Sequence, residues 1–589
     1  MNGRFSAPSA PRLSVVVPTY ERREVLARTL PTILDQELPQ AGFEVVVVID
    51  GSTDGTAEML TEQFADRPLQ VLSRENAGPA AARNAGIQAS RGELVLLLDD
   101  DILCPPGLLA AHLAAHEGGP PRVVFGPVLG LAGTSTAAEL TRLALAGYYT
   151  RMRDEWHPDA SPTAYAAPNT SVPRAALLEA GGFDVRFARA HEDADLGLRL
   201  RALGLPFTYL PDAPVYQLYT KSAQDLATRD AAVHGRGEVL LCRTHPSLRR
   251  QSFLSGLGEG GFLRRAVRTA VTRSPFPPDW LLRPPFEIAE GFPSARLRRP
   301  RLWLLSQRGH AERLRAASAA AGGWHALRAE FGLRCPALLY HHVGSARPGM
   351  PPTLTTSPDR FERQIRFLHQ RGFTAITAGR WLDWLEGGAP LPDRPFVLTF
   401  DDGFADLAEH AFPILRCYGY GATVFVVTGR IGGFNDWDAP LGFPPTRLLD
   451  REQLLAWSRQ GIEFGAHTRT HADLTRLSAH ELDQEVGGSR KELEDILGQP
   501  ARTFAYPFGH FNDTVVNRVR ELFDLAFSCI EGINTLATDL HLQRRTMTLP
   551  SDSVLDLALR TRLGHSPLHA LKAHLRVRTR LRSLFGGQR

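Results

Sequence analysis

The chain has 589 residues, 43% hydrophobic and 22% charged, with 67 basic against 63 acidic side chains and a net charge of +4. That length predicts about three domains, and the ordinary composition excludes wholesale disorder and collagen-like repeats. Near-neutrality taken alone argues against a polyanion binder, but the charge is segregated. Residues 241–335 carry 17 Arg, no Lys and 6 acids, and residues 560–589 carry 7 Arg, one Lys and no acid, which leaves about −15 on the remainder. Five scattered cysteines without a CxxC pair fit a reducing compartment rather than a disulfide framework. The N-terminal segment has no apolar signal core and no run of 18 apolar residues occurs, so the expectation is a cytoplasmic protein, peripheral on the membrane at most.

In chain order, short apolar runs at 13–17, 44–49, 69–73 and 93–98 alternate with segments of helical spacing at 23–35 and 56–64. Such alternation predicts a parallel sheet covered on both faces, with ligands beyond the carboxyl ends of its strands. This first domain is assigned to residues 12–225. Residues 226–335 have few strand signals, a Pro-rich stretch at 274–285 and Arg-rich helical patterns, and are read as a basic helical connector. The alternation resumes over 336–552, with strands expected at 337–340, 396–400, 422–427, 463–466 and 503–506. Residues 553–589 form a basic tail in which Leu568, Leu571, Leu575 and Leu581 share a helical face with interleaved Arg. Such a helix can lie on an anionic membrane surface or pack on the acidic domains. No recognition fold accompanies the Arg clusters, so no nucleic-acid partner is expected.

Three strand ends in the first domain carry chemistry: Pro18-Thr19-Tyr20-Glu21, then Asp50-Gly51-Ser52-Thr53-Asp54-Gly55, then Asp99-Asp100-Asp101. Three adjacent carboxylates repel one another and need an offsetting cation. Asp99 and Asp101, alternate residues of an extended segment, could share one hard divalent ion. Together with Asn76-Ala-Gly-Pro-Ala-Ala-Ala-Arg83-Asn84, Gly181-Gly182-Phe183-Asp184 and His191-Glu192-Asp193-Ala194-Asp195, these segments resemble the family 2 glycosyltransferases over residues 12–220. The resemblance implies a GT-A, Rossmann-like fold, a nucleotide-diphosphate sugar donor, a glycan or lipid-linked saccharide acceptor, and Mg²⁺ or Mn²⁺. It implies nucleotide-sugar binding by Thr19, Glu21, Asp50, Arg83, Asp99 and Asp101, with Asp101 also on the metal. Asp193 would be the catalytic base of an inverting transfer. The family often has two acids where this chain has Ile49-Asp50, which leaves the choice of nucleotide open.

In the second α/β region, Thr399-Phe400-Asp401-Asp402-Gly403 closes one strand, and His467-Thr468-Arg469-Thr470-His471 follows another. Two His four apart fall on one side of a helical turn, and with one carboxylate they make an open site for a borderline metal such as Zn²⁺. These residues resemble the NodB-like polysaccharide deacetylases, carbohydrate esterase family 4, over about residues 336–550. The resemblance implies a distorted (β/α) barrel. Asp402, His467 and His471 match the ligands of Zn²⁺ or another divalent transition metal, and Asp401 the general base. Ala505-Tyr506-Pro507-Phe508-Gly509 matches a groove-wall motif in which the Phe508 N–H would face the oxyanion. Arg502 is the nearest candidate for the arginine that orients the base. No late Leu-x-His is evident, and His541 and His565 sit in poor contexts. Leu339-Tyr340-His341-His342-Val343 resembles the YHxV of a subgroup acting on poly-N-acetylglucosamine-like chains, so His341, ahead of His342, is assigned the general-acid role. Trp437, in the Asn435–Asp438 loop, could floor a pyranose ring or simply pack.

The expected function is therefore inverting sugar transfer plus metal-dependent N-deacetylation of an N-acetylhexosamine-containing glycan. The alternatives are that only one half turns over, the deacetylase before the transferase, with the other binding glycan, or that both folds serve as a scaffold.

Overall fold

The apolar runs of the first half do become strands. In the computed structural model, β1 (Leu13–Thr19), β2 (Phe43–Asp50), β3 (Leu69–Arg74) and β4 (Leu94–Leu97) lie in the order β3-β2-β1-β4, all parallel. The Val-rich strands β1 and β2 are buried on both faces, as the centre of a parallel sheet demands. Further along the chain come β5 (Ile102–Leu103), β6 (Val123–Phe125), β7 (Val128–Gly130), β8 (Thr170–Pro173), β9 (Phe207–Tyr209) and β10 (Val215–Gln217). The main sheet continues β4-β8-β6-β9, and β5-β10-β7 form a small second sheet.

The parallel expectation fails at β8, which runs antiparallel between β4 and β6. The chain enters β8 beside the carboxyl end of β4, with Thr170 opposite Leu97, so no crossover restores the parallel sense. Strand order reverses at β1, which opens a crevice beyond the ends of β1 and β4. Helices α1 (Arg23–Leu34), α2 (Thr56–Gln63), α3 (Pro79–Ala89) and α4 (Glu192–Ala202) follow.

The structure describes residues 11–38, 42–131, 149–150, 168–187, 189–218, 222–259, 298–345, 348–351 and 353–567, with isolated positions between 266 and 272. The Pro-rich stretch from residue 274 and the tail beyond 567 lie outside these residues. Residues Met1–His245 and Ala266–Trp324 form one compact unit; Pro246–Arg265 and His325–Arg589 form the other. The segment read as a connector is thus distributed over both. In the first unit, α5 (Ala231–Thr244) packs on α6 (Arg298–Ala321). A Cβ at Gly235 would stand 2.2 Å from the Arg313 carbonyl oxygen, so only glycine allows this approach. In the second unit, Arg249 donates to the Trp384 carbonyl at 2.6 Å and lies 4.9 Å over the Trp384 ring.

The second unit is built on β11 (Cys335–Tyr340), the short pair β12 (His342–Val343) and β13 (Thr355–Thr356), and β14 (Thr374–Ile376). Then come β15 (Pro395–Phe400), β16 (Ala422–Val426), β17 (Ile462–Ala466), β18 (Thr503–Ala505) and β19 (Leu525–Phe527), with β20 (Ile533–Asn534) and β21 (Thr546–Met547) last. The path β19-β18-β17-β16-β15-β11 is parallel, with β14, β21 and an antiparallel β20 attached. The sheet curves into the half-barrel of a distorted (β/α) fold. Helix α7 (Ala479–Leu497) covers it, opened by a Ser478/Glu481 capping box and closed by Gly498 in the left-handed region.

Candidate active sites

At the crevice of the first unit the three acids after β4 meet arginines. Arg22 Nη1 donates to Asp100 Oδ1 at 2.8 Å and to Asp101 Oδ2 at 2.9 Å, and Thr19 Oγ1 donates to Asp100 Oδ2 at 2.9 Å. Arg83, buried on α3, bridges Asp99 at 2.8 Å and Glu192 at 3.1 Å. Gln217 donates to Asp101 at 3.2 Å. Much of the offsetting charge expected from a metal is therefore supplied by two arginines. Four carboxylates face two guanidiniums, which leaves about two negative charges for a divalent cation. Burial, against the pull of Arg22, pushes Asp100 up to about 6, and burial with the neighbouring Asp99 raises Asp101. Oxygen donors of this kind suit a hard ion such as Mg²⁺ or Mn²⁺, but no three of these carboxylates bring their ligand atoms together as the residues are placed.

Glu21 adopts φ 51°, which turns its carboxylate onto the Thr53 N–H at 2.7 Å. Asp50 accepts from the Ala77 and Gly78 N–H groups at the start of α3, and Arg74 stands 3.3 Å away. Helix α4 opens with His191 at φ 72° and carries Glu192, Asp193 and Asp195 in its first turn. Glu192 is held by Arg83, and Asp195 by Arg199 at 2.6 Å and His245 at 2.8 Å. Asp193 is half-buried between them, one carboxylate oxygen accepting from the Ala194 N–H.

In the second unit, Asp402, His467 and His471 each offer one ligand atom, and these atoms lie within 4.8 Å of one another. No other such group of three occurs among the described residues. The two histidines are not on a helix. They sit in the loop after β17, where Thr468 and His471 both take positive φ, and this replaces the i, i+4 geometry expected from spacing. Asp402 and Phe508 are also in the left-handed region. Of the seven non-glycine residues with positive φ among the described residues, four therefore surround this cleft; strained backbone gathers where side chains must converge.

His467 Nδ1 meets the Ala505 carbonyl at 2.8 Å, which directs Nε2 toward Asp402 at 3.6 Å. His471 Nε2 is 3.3 Å from Asp402, and its buried Nδ1 has no hydrogen-bond partner. Burial pushes His467 down to about 4, so its ring is neutral. Burial alone would raise Asp402, but His471 overcomes it and holds the carboxyl well below its usual range. A buried carboxylate with two imidazoles fits Zn²⁺ or a similar divalent metal.

Asp401 is gripped in bidentate fashion by Arg545, at 2.6 and 2.9 Å, with Arg545 fully buried. Arg545, not Arg502, therefore orients this carboxylate. Arg502 is committed to Asp383, Glu386 and Asp524 at 2.8–2.9 Å. Arg545 immediately precedes β21, far along the chain from the other motifs, so its partner is not legible from them. Its one signal is a cation at the start of the β-prone segment Thr546-Met547-Thr548-Leu549. Burial would raise Asp401; the Arg545 charge lowers it instead.

His341 is half-buried, its basicity lowered by burial against the opposing fields of Asp402 and Asp401. His342 is buried, stacks on Phe404 at 3.5 Å and meets Asp406 at 2.8 Å. His471 lies between Trp437, stacked at 4.9 Å, and Phe508, edge-on at 4.6 Å. Tyr506 is buried with its hydroxyl on the His541 carbonyl at 2.9 Å, and Pro507 is buried beside it. In this turn the Gly509 and His510 N–H groups close on Tyr506 and Pro507; that of Phe508 takes part in neither bond.

Residues 14–167 match the glycosyl transferase family 2 and residues 388–523 the polysaccharide deacetylase family. The chain is 32% identical over 283 residues to validoxylamine A glucosyltransferase of Streptomyces hygroscopicus subsp. jinggangensis, covering 43% of this chain and 65% of that one. It is 27% identical over 168 residues to poly-beta-1,6-N-acetyl-D-glucosamine N-deacetylase of Staphylococcus aureus, covering 27% and 55%. The Streptococcus pyogenes deacetylase PplD, solved with acetate, is 27% identical with a TM-score of 0.34, covering 38% and 97%. The chain spans less than two thirds of the length of these two curated relatives. It carries a family 2 glycosyltransferase domain in its N-terminal half and a NodB-like polysaccharide deacetylase domain in its C-terminal half.

Proposed function

We propose that the chain is a bifunctional carbohydrate enzyme that adds a sugar to a glycan or lipid-linked saccharide and removes acetyl groups from N-acetylhexosamine units. The observation that carries this reading is the paired arrangement in the second unit. Asp401 is locked by Arg545, and beside it Asp402, His467 and His471 converge.

In the deacetylase half, Asp402, His467 and His471 would hold a divalent metal, whose chemistry there would be to polarise the acetyl carbonyl. Asp401, kept ionised by Arg545, accepts the proton of the attacking water. His341 protonates the leaving amine, and the Phe508 N–H faces the oxyanion. Trp437 and Phe508 flank the site as surfaces for a pyranose ring.

In the transferase half, Thr19, Glu21, Asp50 and Arg83 bind the nucleotide sugar beside Asp99 and Asp101. Asp101 would hold a divalent cation, whose charge would offset that of the diphosphate. Asp193 takes the acceptor proton while the anomeric carbon is attacked from the face opposite the diphosphate, with inversion. We place both steps in the cytoplasm, where nucleotide sugars are made. No described helix is long and apolar enough to cross a membrane, and peripheral contact is assigned to the Arg-rich tail from its sequence.

The test is a panel of UDP-N-acetylglucosamine, UDP-glucose, GDP-mannose and dTDP-glucose with chito-oligosaccharide acceptors, following nucleotide and acetate release. Asp193→Ala should abolish the first and spare the second, and Asp402→Ala the reverse. Acetate release that survives Asp402→Ala sinks the deacetylase assignment. Binding without turnover in one half would reduce that half to a glycan-binding domain.

A further inference from the structure

We propose that helix α5, outside the part of the chain that matches the glycosyltransferase family, belongs to the transfer site, and that Glu238 and His245 are positioning residues for Asp193. The proposal rests on the reading of Asp193 as the base.

Helix α5 carries His234 and Glu238 four residues apart on one helical stripe, and His245 follows as its C-cap residue with non-helical backbone. That stripe faces the turn that opens α4. The His234 ring meets His191 edge-on at 5.3 Å, and Glu238 Oε2 stands 3.3 Å from His191 Nε2. His245 Nε2 meets Asp195 Oδ1 at 2.8 Å. The backbones are also in contact: a Cβ at Gly237 would stand 2.8 Å from the Ala190 carbonyl oxygen. These contacts fall on Ala190, His191 and Asp195, on either side of Asp193, while Arg83 holds Glu192 from the donor side.

The turn needs such support. His191 is at φ 72°, a conformation that costs a non-glycine residue about 1 kcal/mol or more and persists only where surroundings fix it. Its side chain makes no N-cap hydrogen bond, so the local sequence does not set the helix start. Asp193 has one half-buried carboxylate to aim at an acceptor hydroxyl, and displacement by about 1 Å can cost on the order of 100-fold in rate. Glu238 is itself braced, since it lies in the electrostatic field of Arg313 on α6. The paired α5–α6 helices are thus a splint behind the catalytic turn.

The experiment uses the full chain, with the four panel donors, Mn²⁺ and chito-oligosaccharide acceptor. Glu238→Ala and His245→Ala should each lower kcat for transfer about tenfold, with donor KM within about twofold, because the donor-binding strand ends do not depend on α5. His245→Gln, whose amide nitrogen takes the place of Nε2 and can donate to Asp195, should recover most of the rate. A bulk loss of fold would instead lower the melting temperature and the active fraction without this split or rescue. Hydrogen exchange over residues 189–200 gives an activity-independent readout and should accelerate in both alanine variants.

Full kcat in both alanine variants, with Asp193→Asn inactive, overturns the positioning role and leaves the base assignment standing. Transfer that survives in Asp193→Asn, or a wild-type chain that consumes no panel donor, removes the base assignment and this inference with it.

Discussion

Each unit places a run of carboxylates beyond the end of a buried strand, and the two runs are compensated differently. After β4, Asp99, Asp100 and Asp101 pair with Arg22 and Arg83, whose charges are permanent. After β15, Asp401 has Arg545, but Asp402 has no guanidinium and faces histidines, His467 and His471 nearest. His467 is neutral near pH 7 because burial disfavours its charged form. A neutral imidazole does not cancel a carboxylate; it offers a lone pair. The first arrangement holds its shape by ion pairs, with room for a cation that arrives with a diphosphate. The second gathers three ligand atoms that fit a divalent metal.

The largest expected effect follows from that contrast. Chelation should reduce acetate release by on the order of 1,000-fold or more, as should Asp402→Ala, with restoration by Zn²⁺ or another divalent transition metal for the chelated protein only. Transfer should fall less on chelation if the arginines carry part of the charge. Equal and complete loss of both activities would break the comparison.

Asp193→Asn should cost transfer about 100- to 10,000-fold while acetate release stays unchanged. Arg545→Ala should lower kcat for deacetylation about 10- to 100-fold with metal content intact, since it removes the partner that aims Asp401 and not a ligand. Metal analysis of the purified variant separates these outcomes: loss of bound metal would place Arg545 in the ligand shell's support instead.

Arg22→Ala should raise donor KM about tenfold and increase the dependence of transfer on Mn²⁺, because Asp100 and Asp101 would then lack their guanidinium. An unchanged Mn²⁺ requirement would show that arginine and metal do not share this task.

The smallest effect concerns His112, a buried histidine of the first unit whose hydrogen-bond partners are neutral. His112 meets Ser171 and Asn169 at 2.8 and 2.9 Å, and burial pushes it down to about 4. The unfolded chain then binds more protons than the folded one between pH 4 and pH 6.5. Stability from this group is present above about 6.5 and is lost as the pH falls toward 4. By pH 5 the loss should be about 2 kcal/mol, or roughly 4–8 °C in the melting temperature of this unit. His112→Gln should flatten that dependence; an identical slope in the variant would assign the acid sensitivity elsewhere.

The strands and most helices of both halves were legible in the sequence because their burial is periodic and local. β1, β2, β11 and β15 are apolar over five or more residues, and each ends where the polar motifs begin. The motif carboxylates and the His467/His471 pair were equally visible, since a strand end followed by Asp-Asp-Gly is a local pattern. The sequence alone thus determined two α/β bodies, their chemistry-bearing strand ends and the residue types available there. Partners from distant segments were not visible. Arg545 reaches Asp401 across 144 residues, His245 reaches Asp195 across 50, and Arg83 reaches Glu192 across 109. Nor did spacing reveal that Thr468 and His471 take left-handed backbone instead of a helical turn. Those choices depend on which buried charge a long side chain can reach once the sheet has closed, and that is settled by tertiary packing because local sequence exerts no force across such separations.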